Sequence, residues 1–167
     1  MKPLSVFLLV FSCSVCGALG GYLATELLAL EARVSIASKE TGFSSAILRK
    51  AFVELHHRSP SKGSIKLSPQ FINKSCQLLK EATLYVFFFH IEHAHGFCRR
   101  SINAYRRYSS YITTVSNFEP LLDFSAAWAI SKCSISEGLK LGRCSHCRSV
   151  KLINIKLQHN KCCVCKS

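Results

Sequence analysis

The stretch RCSHCRSVKLINIKLQHNKCCVCKS, residues 143–167, holds two Cys-x-x-Cys pairs, Cys144 with Cys147 and Cys162 with Cys165, separated by fourteen residues. Zinc takes four soft ligands at the corners of a tetrahedron, and each Cys-x-x-Cys turn supplies two thiolates from one knuckle. A segment this small cannot bury enough apolar surface to fold alone, so a bound metal would supply its stability. The sequence therefore predicts a C-terminal zinc ribbon-like module with one Zn²⁺ per chain on these four cysteines.

The same segment allows other chemistry. Disulfides are the main alternative to a metal, because the chain has ten cysteines and their spacing suits both. Cys163 could replace Cys162 as a ligand, but the resulting Cys-x-Cys spacing is less favourable, so Cys163 is interpreted as a spare. His146 and His159 are substitute ligands within reach of the cysteine pairs.

The chain is strongly basic, with a formal net charge of +13 and a pI near 9.5. Its charge is also uneven, because no acidic residue follows Glu137. The cations that follow are Lys140, Arg143, Arg148, Lys151, Lys156, Lys161 and Lys166. A segment of one sign predicts an anionic partner, which is nucleic acid, acidic lipid or an acidic protein. A charge that serves only solubility is the alternative.

The N-terminal stretch, residues 1–21, is apolar and indicates export or membrane anchoring. Small residues Ala18 and Gly20 follow its apolar block at the spacing of a cleavage site, which is the pattern of a signal peptide. Its length also suits a membrane anchor. Cleavage after Gly20 would remove Cys13 and Cys16 and leave eight cysteines, an even number that suits disulfides.

Between these ends, apolar residues recur at helical spacing, which predicts a mainly α-helical domain over residues 22–138, followed by the zinc ribbon-like module over 139–167. One helix is predicted from Ala24 to a stop at Gly42, and Ser44 caps a second helix, SSAILRKAFVEL. The other predicted elements are a long, buried central helix that opens at Ser68-Pro69, a shorter helix after Gly96, a helix that starts at Pro120, and a hairpin between the cysteine pairs.

The segment Ile36–Leu55 is typical of a helix-turn-helix unit, which needs small residues at the helix contact, a turn glycine and apolar positions that lock the crossing. Its second helix would present polar side chains to a major groove. These side chains are Ser44, Ser45, Arg49 and Lys50. Arg49 is the candidate for guanine, and its replacement by alanine is expected to lower the ratio of specific to nonspecific binding. A helical hairpin that faces a protein partner or only solvent is the alternative.

Further cations are predicted to contact DNA phosphates and to make the affinity depend on salt. They are Arg58 and Lys62 in the loop after the second helix, and Arg148 and Lys151 in the C-terminal segment. No activated nucleophile, paired carboxylates or phosphate-cradling glycine loop stands in the sequence, so an enzyme is not expected.

An ordered set of stretches resembles the FlhC family, the flagellar transcriptional activator subunit of enteric and related bacteria. The set comprises ATELLALEARVSIASKETGFSSAILRKAFVEL (24–55), RSPSKG (58–63), INAYRRY (102–108), PLL (120–122) with AW (127–128), and the two Cys-x-x-Cys pairs. The resemblance implies a mainly helical, cytoplasmic protein that binds DNA at flagellar class II promoters as a hetero-oligomer with FlhD, with RNA polymerase as a further partner. It also implies zinc on Cys144, Cys147, Cys162 and Cys165.

Two features depart from the family pattern. The family begins with a charged helix where this chain has its apolar stretch, and the family continues beyond the last cysteine where this chain stops at Ser167. The apolar stretch is interpreted as a helix that is not exported or as a start-site artefact. A secreted or membrane-surface cationic protein with disulfides and a zinc-ribbon module that binds only proteins are the alternative functions.

Overall fold

The computed structural model describes residues 15–61, 72, 75–136, 138–155 and 162–166. The chain divides into two compact units, Met1–Gly63 and Ser64–Ser167. Six helices hold 62% of the described residues, and one small two-stranded sheet follows them. The described part of the chain therefore confirms the predicted mainly α-helical fold with a cysteine module. None of the described helices is both long and apolar enough to cross a bilayer. The predicted three-part division at residues 21 and 138 stays a prediction.

The elements follow one another as separate helices and then a hairpin. Their bounds are α1 Val15–Ala29, α2 Val34–Thr41, α3 Ser45–His56, α4 Cys76–Ile91, α5 Phe97–Ser116, α6 Phe124–Ile135, β1 Leu139–Arg143 and β2 Val150–Asn154. The first unit contains α1 to α3, and the second contains the rest.

The helix predicted from Ala24 to Gly42 is interrupted, so this part of the prediction was wrong. The N–H of Glu31 donates to the carbonyl of Leu28, and that of Ala32 donates to the carbonyl of Leu27, each at 2.9 Å, which ends α1. Glu31 takes a left-handed conformation with φ 55°. Its carboxylate accepts a hydrogen bond from Arg58, which lowers the pKa of Glu31. Apolar spacing continues across this turn, so periodicity alone could not reveal it.

The two helices around Gly42 have the order of a helix-turn-helix unit. Gly42 ends α2 with φ 77°, a conformation that costs glycine little, and its N–H donates to the carbonyl of Ser38 at 2.9 Å. Ser44 caps α3, because its hydroxyl accepts from the N–H of Ile47 at 3.4 Å. Both boundary predictions are confirmed. The buried face of this pair includes Ile36 and Leu48, which are fully inaccessible.

In the second unit, α4 is the central buried helix, as predicted. Tyr85, Val86 and Phe89 are fully buried in its core. The helix begins at Cys76 after the cap Ser75, while the predicted opening at Ser68-Pro69 lies outside the described residues. Helix α5 was expected to be shorter than α4 but has twenty residues against sixteen.

Helix α6 begins at Phe124, capped by Asp123, and not at Pro120 as predicted. The reason is a buried carboxylate on α4. Glu81, only 4% exposed, accepts hydrogen bonds from the backbone N–H of Leu121 at 2.8 Å and from the hydroxyl of Tyr108 on α5. Burial and this contact with Glu81 raise the pKa of Tyr108. The segment before α6 is thus held as an irregular connection against α4.

The hairpin pairs β1 with β2 in antiparallel register, with Leu141 opposite Leu152 and Arg143 opposite Val150. It was predicted between the two cysteine pairs, but it encloses the first pair, which forms its turn. Leu139 and Leu152 are buried in the same core as α4. The N–H of Leu152 also donates to the hydroxyl of Thr83 on α4 at 3.1 Å. The hairpin therefore packs on the central helix.

Candidate metal centre

The sulfur atoms of Cys144, Cys147, Cys162 and Cys165 lie within 4.8 Å of one another. The Sγ atoms of Cys144 and Cys165 are 3.7 Å apart, and those of Cys147 and Cys162 are 3.6 Å apart. Four sulfurs at zinc bonds of about 2.3 Å would form a tetrahedron with edges of about 3.8 Å. A disulfide would instead need about 2.05 Å. The four positions therefore fit a tetrahedral metal ion.

Each pair sits on a knuckle of the same form, the first over residues 144–148 and the second over 162–166. The N–H of Arg148 donates to the carbonyl of Cys144 at 3.0 Å, and the N–H of Lys166 donates to that of Cys162 at 2.9 Å. Both donors are left-handed, with φ 60° and 61°. The repeated turn brings the two sulfurs of each pair to the same side of the chain.

Hydrogen bonds favour the thiolate form at two of the four positions. The Ser149 hydroxyl, followed by the N–H groups of Cys165 and Val164, lowers the pKa of Cys162 to about 5. Backbone N–H groups of its own knuckle lower the pKa of Cys144. Because a thiolate is the form that binds metal, these donors prepare the site for a cation.

Ser149 bridges the two knuckles and was missed from the sequence. Its Oγ lies 3.0 Å from the Sγ of Cys147 and 3.5 Å from the Sγ of Cys162, so it contacts one sulfur of each pair. Its carbonyl also accepts the N–H of Cys144 at 2.9 Å. The only signal available was a hydroxyl two positions after the first pair, which is too common to identify.

Two of the other candidate ligands, Cys163 and His146, stand outside the group of four sulfurs. Cys163 is half-buried beside Cys76, and burial followed by this neighbour raises the pKa of Cys163 to about 11. A thiol held in its neutral form is a poor metal ligand. His146 is exposed on the first knuckle, and His159 lies outside the described residues. All eight cysteines that the structure describes with side chains are free thiols.

An apolar groove of about 300 Å³ runs beside the four-cysteine group, between α4 and the second knuckle. Its walls include Leu84 and Phe87 on one side, and Val150 and Val164 on the other. Three of these side chains are about half exposed, at 47% for Phe87, 51% for Val150 and 60% for Val164. The groove is an exposed apolar surface on a highly charged chain.

The cations predicted to contact DNA are placed in both units. On α3, Arg49 and Lys50 are exposed, Ser45 is half-buried and Ser44 is the exposed cap. Arg58 pairs with Glu31 and lies over the ring of Phe52 at 5.6 Å, and Lys62 lies outside the described residues. In the second unit, Arg148 is exposed at the end of the first knuckle and Lys151 is half-buried on β2.

Comparison with known proteins places these features in a known context. The sequence model of the FlhC family, the flagellar transcriptional activators, matches residues 12–167 of the chain. The flagellar transcriptional regulator FlhC of Gallionella capsiferriformans (strain ES-2) is 26% identical over 147 residues, which cover 86% of this chain and 81% of the relative. The protein of the same name from Paraburkholderia atlantica is 30% identical over 127 residues, which cover 75% of this chain and 58% of the relative. The FlhC protein of Yersinia enterocolitica is 27% identical over 156 residues, which cover 87% of this chain and 77% of the relative.

Proposed function

Because the chain belongs to the FlhC family of flagellar transcriptional activators, we propose that it binds DNA as a zinc-containing subunit that acts with FlhD to switch on flagellar class II genes. The family match over residues 12–167 carries this proposal. It covers the helix-turn-helix unit and both cysteine pairs, which are the parts that would contact DNA and hold the metal.

The DNA-binding part of the proposal is supported by charge and exposure. Arg49, Lys50 and Arg148 are exposed cations on a chain with a formal net charge of +13. Contacts of this kind release counterions from DNA, so the affinity is expected to fall steeply with salt. Helix α3 would enter or border the major groove, with Ser44 and Ser45 at its first turn.

The zinc part of the proposal is supported by the sulfur geometry. We assign one Zn²⁺ to Cys144, Cys147, Cys162 and Cys165, because a set of four thiolates with edges near 3.7 Å suits zinc better than a hard cation. Bound zinc would supply stability, by joining the second knuckle to a hairpin that already packs on α4. Free thiols and a thiolate site are also what a reducing cytoplasm favours, which is the proposed location.

The partners in the proposal are FlhD, promoter DNA and RNA polymerase, in a hetero-oligomer. The exposed apolar groove beside the second knuckle supports a protein partner, since buried apolar surface drives association. The same groove favours the second candidate function, a zinc module that binds proteins and makes no DNA contact of its own.

A promoter-binding titration separates these two functions. Labelled class II promoter DNA and a scrambled duplex are titrated with the chain alone, with FlhD alone and with both, at several salt concentrations. The proposal expects tight, promoter-selective and salt-dependent binding by the mixture. Binding that is identical with and without this chain would leave only the protein-interaction function.

Metal and thiol analysis tests the cofactor and excludes the disulfide alternative. The protein is purified from cytoplasm without added metal, and its zinc content and titratable thiols are measured after unfolding. One zinc and ten thiols per chain are expected, because the chain has ten cysteines. Protein with no zinc and four disulfides would refute the metal assignment and support a secreted cationic protein.

A further inference from the structure

The first compact unit contains a polar cleft of about 480 Å³ between the start of α2 and the start of α3. Its polar lining residues are Arg33, Ser35, Ser45, Arg49, Ser59 and Ser61. These residues come from three separate segments, which are the N-cap and first turn of α2, the first two turns of α3 and the loop after α3. The cleft is therefore created by the fold of the unit and not by one local sequence.

The chemistry of this polar cleft suits an anion that has several oxygen atoms. Arg33 and Arg49 bring two guanidinium groups, each with a planar fork of N–H donors. The serines bring four hydroxyls that can donate to oxygen. No acidic side chain stands among the described residues that line the cleft. Two guanidinium groups together with hydroxyl donors match phosphate in charge and in hydrogen-bonding chemistry.

The backbone adds donors to the same space. Arg33 is the N-cap of α2 but makes no side-chain capping hydrogen bond. Its carbonyl accepts the N–H groups of Ile36 at 2.9 Å and Ala37 at 3.1 Å, so the first intrahelical bonds start there. The N–H groups of Val34 and Ser35 precede these bonds, at the positive end of the helix, and both residues line the cleft. A phosphate placed there would meet backbone donors as well as the arginines.

We propose that the polar cleft binds a phosphate group, with Arg33 and Arg49 as its charge partners and Ser35 at the helix start as a hydrogen-bond donor. In the DNA complex this group is a backbone phosphate, an assignment that rests on the proposed function. Arg49 then positions the protein on DNA and does not read guanine. A base edge carries no net charge, so it would gain less than a phosphate from the two guanidinium groups that line the cleft.

The test uses the full chain with FlhD and measures fluorescence anisotropy on a class II promoter duplex and on a scrambled duplex. Arg49→Ala and Arg33→Ala are each expected to weaken binding to both duplexes by the same factor, about tenfold, and to lower the salt slope by about one. Lys39→Ala removes a cation from the far end of α2, outside the cleft, and serves as the matched control.

Ser35→Asp separates binding from folding. A carboxylate in the first turn of a helix favours the helix, so the thermal midpoint of this variant should be unchanged or higher. The same carboxylate fills the polar cleft with negative charge, so phosphate binding should be lost. A variant that is at least as stable as the parent and binds DNA at least tenfold more weakly cannot be explained by misfolding.

A second arm titrates inorganic phosphate into the free chain by calorimetry, and it does not depend on DNA or FlhD. Uniform loss on both duplexes without saturable phosphate binding assigns the cleft to the DNA backbone. Saturable phosphate binding that Ser35→Asp abolishes assigns it to a free phosphate-bearing ligand, even if the parent complex fails to bind DNA. Loss confined to the promoter duplex would show that Arg49 reads a base and overturn the proposal, as would unchanged binding in both arms.

Discussion

Replacing Ser149 by alanine tests whether the proposed zinc site depends on a residue other than its four cysteines. The Ser149 hydroxyl lies 3.0 Å from the Sγ of Cys147 and 3.5 Å from the Sγ of Cys162. The substitution removes this donor and leaves all four proposed ligands in place. Because the backbone carbonyl of Ser149 is unchanged, its hydrogen bond with the N–H of Cys144 is retained.

The expected loss follows from one hydrogen bond to a charged sulfur. A hydroxyl has a single proton and can donate to one thiolate at a time. A hydrogen bond to a charged group contributes about 1.5–3 kcal/mol, and every 1.4 kcal/mol is about tenfold in affinity. Water can reach this partly exposed site and recover part of that bond. We therefore expect zinc affinity to fall about tenfold, the lower end of the range typical of outer-shell substitutions.

The pH dependence of the loss has a defined sign. Ser149 is the largest contribution to the low pKa of Cys162, about 5, so Ser149→Ala raises that pKa. Protons then compete with zinc at Cys162 at higher pH than in the parent. The difference in affinity between parent and variant should therefore grow as the pH is lowered from 8 toward about 6.

The assay is competition for zinc against a chromophoric chelator, under reducing and oxygen-free conditions, with the full chain. Ser145→Ala is the matched control, because Ser145 lies within the first knuckle, four positions before Ser149, and is exposed. Cys163→Ser is a second control that removes a cysteine outside the group of four. Equal zinc affinity of Ser149→Ala and the parent, or an equal loss in Ser145→Ala, would refute the bridging role.

Three other predictions concern the stability of the fold. Glu81→Leu leaves the Tyr108 hydroxyl and the Leu121 N–H without their buried acceptor. Urea unfolding should therefore show that the free energy of unfolding falls by about 3 kcal/mol, against about 1 kcal/mol for Glu81→Gln. Equal losses in the two variants would contradict this account. Gly42→Ala places a Cβ at φ 77° and should destabilise the first unit by about 1 kcal/mol, with a smaller loss for Gly42→Asn. An unchanged unfolding midpoint for Gly42→Ala would show that the turn relaxes to accept the Cβ. Removal of metal by a chelator should lower the thermal midpoint of the full chain and zinc should restore it, whereas an unaffected midpoint would exclude a structural role.

Features that depend on neighbouring residues in the chain could be predicted from the sequence. Gly42 and Ser44 mark a helix end and a helix start because a left-handed turn and an N-cap hydrogen bond are each decided within four residues. The buried character of α4 was visible in the continuous apolar run around Val86 and Phe89. The four cysteines could be identified because one local turn positions both sulfurs of each pair.

Features that depend on distant residues could not be predicted in this way. The end of α1 at Glu31 involves Arg58, which lies 27 positions further along the chain. The irregular segment before α6 is held by Glu81, 40 positions before Leu121. No local pattern distinguishes these residues from ordinary surface charges.

By itself, the sequence determined that the chain is mainly helical, basic and equipped with two Cys-x-x-Cys knuckles, since composition, helical spacing and tight turns are local properties. Only the tertiary structure decided that the hairpin encloses the first pair, that Ser149 bridges the knuckles and that Arg33 and Arg49 line one cleft. The physical reason is that hydrogen bonds and charges act over a few ångströms in space. Which residues come that close depends on how packed helices bring separate segments together.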